Sequence, residues 1–124
     1  MERHRQRPSS HVLGKLGEEF ALNYLKSKKY RIVKTGFRLF RGEIDIIAYD
    51  SDTLVFVEVK TRRGTHFGLP EEAATLSKQD QLRRIAQGYL TLNRLDEIPC
   101  RFDVLALLFG QDQAVQVKHF IDAF

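Results

Sequence analysis

The stretch from residue 42 to residue 62, GEIDIIAYDSDTLVFVEVKTR, constrains the fold of this chain more than any other part of the sequence. It contains two apolar runs, residues 44–49 and 54–59, separated by Asp-Ser-Asp at 50–52, a composition typical of turns. Two apolar runs joined by a short turn predict a β-hairpin. Three charges that a buried strand would not choose stand in it: Asp45, Glu58 and Lys60.

The spacing of these charges indicates that they converge on one surface. Because side chains alternate across a strand, Glu58 and Lys60 share one face. Antiparallel pairing across a short turn should bring Asp45 within reach of Glu58 or its neighbour. Two carboxylates that close repel each other unless a proton or a cation lies between them, and oxygen ligands without thiolate or imidazole suit Mg²⁺ or Mn²⁺. The Lys60 ammonium is placed to hold a water nucleophile or to stabilise the charge of a phosphoryl transition state.

A solvated surface is the alternative interpretation of the same charges. Carboxylate and lysine side chains at alternate positions of an edge strand are common and usually face water. This explanation accounts for Glu58 and Lys60 alone as well as a metal site does. It accounts less well for Asp45, because Asp45 faces them from a second, strongly apolar strand.

The hairpin resembles the signature of the PD-(D/E)xK, or restriction-endonuclease-like, nuclease superfamily. In GEIDIIA followed by FVEVKTR, Asp45 matches the aspartate of that motif, Glu58 its acidic residue and Lys60 its lysine. Over roughly residues 12–110 the chain is similar to the YraN-like family of small bacterial proteins, which are predicted endonucleases. The resemblance implies that Asp45, Glu58 and Lys60 are catalytic. It also implies that Asp45, Glu58 and the backbone carbonyl of Val59 bind Mg²⁺ or Mn²⁺.

A first helix is predicted from about residue 12 to residue 27, and its periodicity alone places Glu18 on a solvated face. However, GKLGEEFALNYL is similar to the G-x-x-G-E-x-x-A-x-x-Y-L opening of the YraN-like family, and Glu18 stands where that pattern has its glutamate. In related nucleases, Holliday-junction resolvases among them, a first-helix glutamate completes the metal site. The resemblance therefore implies that Glu18 is a further metal ligand. Gly14 and Gly17 lack a Cβ and should let this helix lie close to the sheet.

Basic residues around the hairpin are candidates for contacts with nucleic acid. The two arginines that precede the acidic strand are explained equally well by phosphate contacts and by solvated loop positions. A glycine-containing basic loop is predicted at residues 61–70, where a nuclease would present a loop to its substrate. Lys78 matches a family lysine at the start of the second helix. The candidates are Arg38, Arg41, Arg62, Arg63 and Lys78.

Two further polar residues have both a functional and a structural interpretation. His66 lies in the predicted loop, where a surface histidine is the better explanation than a general base, because the sequence shows no partner for it. Asp103 interrupts the apolar run 100–109. Pairing with Arg101 or with a backbone amide explains Asp103 better than catalysis does.

The remaining elements complete the predicted order. A strand at 30–37 precedes the hairpin. A second helix follows from about residue 71 and runs clearly from 78 to 92, with Ser77 as its N-cap. Strands at 100–109 and 114–120 end the chain. The order of helix, three strands, helix and two strands predicts an α/β (α+β) fold, with a mixed central sheet flanked by helices as in restriction-endonuclease-like proteins.

Chain length, charge and cysteine content limit the class of protein. A chain of 124 residues predicts one domain, which we place at residues 12–124 after a flexible basic tail at 1–11. Lys and Arg number 20 against 16 for Asp and Glu, a basic excess compatible with nucleic acid. The single cysteine, Cys100, excludes an internal disulfide and a cysteine-based zinc site. No apolar run approaches the ~20 residues that cross a membrane, and no secretory signal is visible, so we expect a cytoplasmic protein without membrane contact.

Two functions of different classes follow. The first is a metal-dependent endonuclease that hydrolyses phosphodiester bonds of DNA, including branched or structured DNA by analogy with resolvases. The second is a non-catalytic module that keeps the fold and binds nucleic acid or a protein. Because resolvases of this fold cut two strands symmetrically, the resemblance also implies a homodimer.

Overall fold

Two helices and a five-stranded mixed sheet make up the part of the chain that the computed structural model describes, residues 9–64, 66–68, 74–112 and 114–124. No helix in those ranges is long and apolar enough to cross a membrane. Along the chain the elements follow the order helix, three strands, helix and two strands, which confirms the predicted α+β fold. The elements are α1 (Ser10–Ser27), β1 (Arg31–Leu39), β2 (Gly42–Asp50), β3 (Thr53–Arg63), α2 (Leu76–Leu92), β4 (Cys100–Phe109) and β5 (Val115–Phe120).

The strands lie in the sheet in the same order as in the chain, from β1 at one edge to β5 at the other. Neighbours are antiparallel except β3 and β4, which are parallel. Parallel strands need a long crossover connection, and the segment between β3 and β4 contains α2. The predicted hairpin is β2–β3, which closes at the Asp50↔Thr53 pair around Ser51 and Asp52.

Each helix covers one face of the sheet with its own hydrophobic core. On β3, Val55 and Val57 belong to the core under α1, whereas Leu54 and Phe56 belong to the core under α2. This two-sided burial explains why β3 is a continuous apolar run rather than an alternating one. The buried residues that meet these positions are Ala21, Leu25, Ile46, Leu105 and Leu107 on the α1 side, and Ile44, Ile47, Leu82, Ile85 and Tyr89 on the α2 side.

The parallel ladder to β4 makes β3 longer than the sequence indicates. Arg62 pairs with Leu108 and Arg63 with Phe109, so these arginines are strand residues, and their prediction as part of a loop was wrong. β4 is a ten-residue strand. Its backbone provides hydrogen-bonding partners for β3 well beyond the last apolar residue of the hairpin.

α1 begins two residues before its predicted start, and α2 begins two residues before the clearly predicted segment 78–92. The N-cap of α2 is Thr75, whose side-chain oxygen accepts a hydrogen bond from the Lys78 amide at 3.2 Å, so the prediction of Ser77 was wrong. The predicted helical turn near residue 71 lies outside the described residues. α1 begins at Ser10 with Ser9 as its N-cap, which places the last two residues of the predicted tail, 10 and 11, in the helix. Residues 1–8 lie outside the described part of the chain.

The turn between β1 and β2 has an unusual composition. Phe40 and Arg41 connect the paired residues Leu39 and Gly42, and their φ angles are +53° and +58°. Positive φ at both central residues is the signature of a type I′ hairpin turn, which strongly favours Asn and Gly. A residue with a Cβ in this left-handed region costs about 1–2 kcal/mol. The chain therefore places a phenylalanine and an arginine where the backbone favours neither.

We expect Gly17→Ala and Gly14→Ala to change stability in opposite directions. A Cβ at Gly17 would lie 2.1 Å from the Thr61 Oγ1 and 3.2 Å from the Thr61 Cβ and Cγ2. To make room for it, α1 would have to move away from β3. Overpacking of this kind costs about 1–3 kcal/mol. A Cβ at Gly14 meets nothing within 4 Å, so the prediction that Gly14 allows a close approach was wrong. At this position alanine should raise the free energy of unfolding by as much as about 1 kcal/mol, because its helix propensity is higher than that of glycine. Urea denaturation would measure both effects, and equal changes of the same sign would contradict this account of Gly17.

Candidate active site

Asp45 and Glu58 meet where the pairing of β2 with β3 ends. The ladder runs from Asp50↔Thr53 to Ile46↔Val57, and the next residues outward are Asp45 and Glu58. At this point the Asp45 Oδ2 accepts a hydrogen bond from the Val59 amide at 2.8 Å. The hydrogen bond fixes the Asp45 carboxylate against β3, beside Glu58, as the register of the hairpin predicts.

Burial perturbs both carboxyl groups, and nearby carboxylates add to the effect. The Glu58 side chain is only 13 % exposed. Burial, followed by the charge of Asp45, raises the pKa of Glu58 to about 7. Burial also raises the pKa of Asp45 to about 6, although the Val59 amide opposes this shift. Perturbed carboxyl pairs of this kind concentrate at functional sites, because a fold gains no stability from holding them together.

One oxygen of the pair has no partner. Glu58 Oε1 lies 3.8 Å from the Lys78 Nζ, whereas Oε2 is buried and accepts no hydrogen bond. A buried, unpaired carboxylate oxygen is costly and is rare in native proteins. A divalent cation between the carboxylates would satisfy Oε2 and offset the Asp45 charge that contributes to the raised pKa of Glu58; a proton shared by the two carboxyl groups is the alternative. The all-oxygen donor set of Asp45 and Glu58 therefore fits Mg²⁺ or Mn²⁺.

Two lysines supply positive charge to the carboxylate pair. Lys60 follows Glu58 by two residues on β3, has an exposed side chain, and lies close enough to lower the pKa of Glu58. Lys78 reaches the same carboxylate from the first turn of α2. The sequence places Lys78 among the nucleic-acid contacts but does not indicate its contact with Glu58. That contact joins two residues that are far apart in the chain, so it depends on how α2 lies over β3.

Glu18 lies at the margin of this group. It is exposed on α1, and its charge contributes to the raised pKa of Asp45. Within the described ranges, no three His, Cys, Asp or Glu side chains are grouped closely enough to hold a metal ion. The structure thus brings Asp45 and Glu58 together without a third acidic ligand. The assignment of Glu18 and of the Val59 carbonyl as ligands stays a prediction.

The four arginines predicted to contact nucleic acid lie at the ends of β1, β2 and β3 that are opposite the β2–β3 turn. Arg38, on β1, has a side chain that is 78 % exposed and lies 3.8 Å from Glu43. Arg41 is exposed in the β1–β2 turn, Arg62 is half-buried near the end of β3, and Arg63 is exposed beside it. Their role in binding nucleic acid stays a prediction. His66 is also exposed, consistent with a surface histidine.

Asp103 belongs to a separate, buried network. Its carboxylate is fully buried and accepts hydrogen bonds from Arg101 Nε at 2.9 Å and from the Asp122 amide at 3.0 Å, with His119 Nε2 at 2.7 Å. Arg101 also donates to Asp50 at 2.8 Å. The prediction that Asp103 pairs with Arg101 or a backbone amide is confirmed on both counts. His119 was not identified from the sequence as a partner of Asp103. The indication in the sequence was an aspartate within an apolar strand, because a buried carboxylate has more acceptor sites than one arginine fills.

Comparison with known proteins agrees with the family that the hairpin and helix motifs indicate. The model of the family described as "Uncharacterised protein family UPF0102" matches residues 17–107, which include Glu18 and the whole β2–β3 hairpin. A UPF0102 protein from Geotalea uraniireducens is 43 % identical over 122 residues, which are 98 % of this chain and 96 % of the relative. A UPF0102 protein from Syntrophotalea carbinolica is 46 % identical over 112 residues, 90 % of each chain. With most of its length shared with these relatives, the chain belongs to the UPF0102 family.

Proposed function

We propose that this protein is a metal-dependent endonuclease that hydrolyses phosphodiester bonds of DNA. The observation that carries the proposal is the buried Asp45–Glu58 pair, in which one carboxylate oxygen has no partner and both pKa values are raised. When it is ionised, a pair of this kind lowers stability unless a cation binds to it. The resemblance of the same two residues and Lys60 to the PD-(D/E)xK motif supports a nuclease over other metal-dependent hydrolases.

The residues of the site divide into groups that hold a cation and groups that stabilise phosphate. Asp45, Glu58 and the Val59 carbonyl would hold Mg²⁺, which when bound supplies Lewis-acid activation of water and charge stabilisation at phosphorus. The Val59 amide fixes the orientation of Asp45, so this ligand is preorganised before any cation binds. The Lys60 and Lys78 ammonium groups offset the negative charge that develops on the phosphate during hydrolysis.

The distribution of basic residues supports a nucleic acid as the substrate. The chain has a net charge of +4 at pH 7, and arginines lie in β1, in the β1–β2 turn and at the end of β3. Positive side chains of this kind neutralise backbone phosphates without reading sequence. Branched or otherwise structured DNA is the preferred class by analogy with the resolvases that the motif resembles.

We expect the wild-type protein to cut at least one member of a panel of labelled substrates in Mg²⁺ or Mn²⁺. The panel contains single-stranded, duplex, flapped and four-way-junction DNA, together with RNA. Asp45→Asn and Lys60→Ala should each lower the cleavage rate by about a hundredfold or more, because they remove groups that act on the reacting phosphate. The matched control is Asp52→Asn, which changes an exposed carboxylate in the β2–β3 turn and should cut at the wild-type rate.

The other outcomes of this assay identify different functions. Tight binding of one substrate without cutting, by the wild type and by both variants, would replace the nuclease with a nucleic-acid-binding module. Equal cutting by all four proteins would show that the nuclease activity does not belong to this chain. Loss of cutting in Asp52→Asn as well would attribute the effect to folding rather than to the site.

A further inference from the structure

Phe40 is an aromatic side chain that the fold displays to solvent. Across the part of the chain that the structure describes, it is the one aromatic among the exposed large apolar side chains, with 56 % of its surface accessible. It lies in the β1–β2 turn with φ at +53°, a region that is rare for bulky residues. More than half of the Phe40 surface thus stays exposed, and packing does not account for the backbone conformation that the residue adopts.

The turn is nevertheless held firmly against α2. A Cβ at Gly88 would lie 2.3 Å from Leu39 Cδ2 and 3.1 Å from Phe40 Cε2. A Cβ at Gly42 would lie 2.6 Å from Ile85 Cδ1. The helix and the turn thus approach closely at two glycines, one on each element. The partly exposed ring therefore packs against α2 at Gly88.

One arginine lies over a face of the ring, and two others are its neighbours along the chain. The Arg84 guanidinium lies 5.6 Å from the centroid of the Phe40 ring. Arg41 is the next residue in the turn and is exposed, and Arg38 lies two residues before Phe40 with most of its side chain in solvent. Glu43 is the acidic residue of this surface, and it is 3.8 Å from Arg38. An exposed aromatic among several arginines is the composition of surfaces that stack nucleobases and bind the adjoining phosphates.

The turn also lies close to the candidate active site along the chain. β2 leads from Gly42 directly to Asp45, and a strand advances about 3.3 Å per residue, so Arg41 and Asp45 are roughly 13 Å apart along it. A single DNA strand that passes over the site can therefore reach Phe40 within a few nucleotides. The faces of paired bases are covered inside a duplex, so only an unpaired nucleotide can stack on this ring.

From these observations we propose that Phe40 is a stacking platform for an unpaired base, with Arg38, Arg41 and Arg84 binding the phosphates on either side. The proposal rests on the endonuclease function and deepens it, because it defines the substrate class as DNA with unpaired nucleotides next to the scissile phosphate. The strained turn is explained by the same role. Strain retained at a surface position commonly serves binding rather than stability.

The test is a comparison of DNA binding by wild type, Phe40→Asn, Phe40→Leu and Phe40→Tyr in EDTA, measured by fluorescence anisotropy. The probes are a fully paired duplex and the same duplex with a short single-stranded flap that carries 2-aminopurine. Phe40→Asn and Phe40→Leu should weaken binding of the flapped probe about tenfold and change duplex binding less than twofold. Phe40→Tyr should retain wild-type affinity. Stacking should also quench the 2-aminopurine fluorescence in wild type and Phe40→Tyr but in neither of the other variants.

A stability measurement separates this role from a structural one. Phe40→Asn should raise the melting temperature by a few degrees, because asparagine tolerates the left-handed conformation. The matched control is Ser51→Asn in the β2–β3 turn, where Ser51 has a φ of +52°. It should stabilise the protein in the same way without changing affinity for either probe.

The results distinguish this inference from the function on which it rests. Full affinity in Phe40→Leu, or equal losses for the duplex and the flapped probe, would overturn the stacking role even if the protein cuts DNA. Binding that depends on Phe40 in a protein that never cuts would retain the stacking role and overturn the endonuclease.

Discussion

Replacing Asp103 with alanine should lower the free energy of unfolding by about 3–5 kcal/mol, the largest loss of stability that we expect from one substitution. Its carboxylate is fully buried, and its hydrogen bonds link β4 to β5 and to the segment after β5 through Arg101, His119 and the Asp122 amide. Removing it would leave the Arg101 guanidinium, only 16 % exposed, with Asp50 as its remaining acidic partner. A buried charge that loses a partner retains its desolvation penalty.

The same network predicts a loss of stability in acid. Burial acts to raise the pKa of Asp103, but hydrogen bonds from His119, Arg101 and the Asp122 amide outweigh it, so the folded-state pKa lies below the ordinary value of 3.8. A carboxyl group with a lowered pKa stabilises the fold above its unfolded-state pKa. That contribution is lost as the pH falls through the folded-state pKa. We therefore expect wild type and Asp103→Asn to differ most in stability above pH 4 and to converge in stronger acid.

Urea denaturation at pH 7 would measure the effect of Asp103→Ala, with Asp112→Ala as the control. Asp112 is an exposed aspartate whose carboxylate accepts a hydrogen bond from the Ala114 amide at 3.1 Å. Its replacement should therefore lower the free energy of unfolding by less than about 1 kcal/mol. Similar losses in the two variants would contradict the proposed importance of the network. If Asp103→Asn remains folded at low temperature, the proposed cleavage should be as fast in this variant as in wild type, because the recorded partners of Asp103 are Arg101, His119 and the Asp122 amide and not the carboxylate pair.

The parts of this structure that sequence reasoning could predict are those set by local pattern. The hairpin, the strand Cys100–Phe109 and the order of elements follow from apolar runs and turn residues, which act over a few positions. The β1–β2 turn was not predicted, because Phe40 and Arg41 lack the Asn or Gly that marks a type I′ turn. Its composition conflicts with local preference, and such conflicts tend to occur at functional sites.

The carboxylate pair could be predicted, whereas its surroundings could not. Asp45 and Glu58 are joined by a short hairpin, so the register alone places them together. The Lys78–Glu58 contact depends on the position of α2 over the sheet. The bond from Arg101 to Asp50 joins residues that are 51 positions apart. Contacts of this range follow from packing, which a single sequence does not specify position by position.

Without divalent cations, the protein should become less stable as the pH rises from about 4 to about 7. The pKa of Asp45 rises from 3.8 to about 6 on folding, and that of Glu58 from 4.5 to about 7. In this window the folded state binds more protons than the unfolded state, so the free energy of unfolding falls as the pH increases. The carboxyl pair is tolerated best when protonated. Above about pH 7 the full penalty is present, on the order of 3 kcal/mol for each carboxyl group at ~1.4 kcal/mol per pKa unit.

Glu58→Gln should remove the part of this pH dependence that comes from Glu58, leave the part that comes from burial of Asp45, and, in EDTA, make the protein more stable than wild type at pH 8. Mg²⁺ or Mn²⁺ should stabilise wild type at pH 8 and have little effect on Glu58→Gln, because a ligand that binds only the folded state raises its stability. The control is Glu19→Gln, an exposed glutamate on α1 that should behave as wild type in both conditions. Urea denaturation at pH 5 and pH 8, in EDTA and in Mg²⁺, gives all of these values without a cleavage assay. A wild-type stability that is flat across this pH window and indifferent to both metals would show that the Asp45–Glu58 pair is not a cation site, whatever the protein does to DNA.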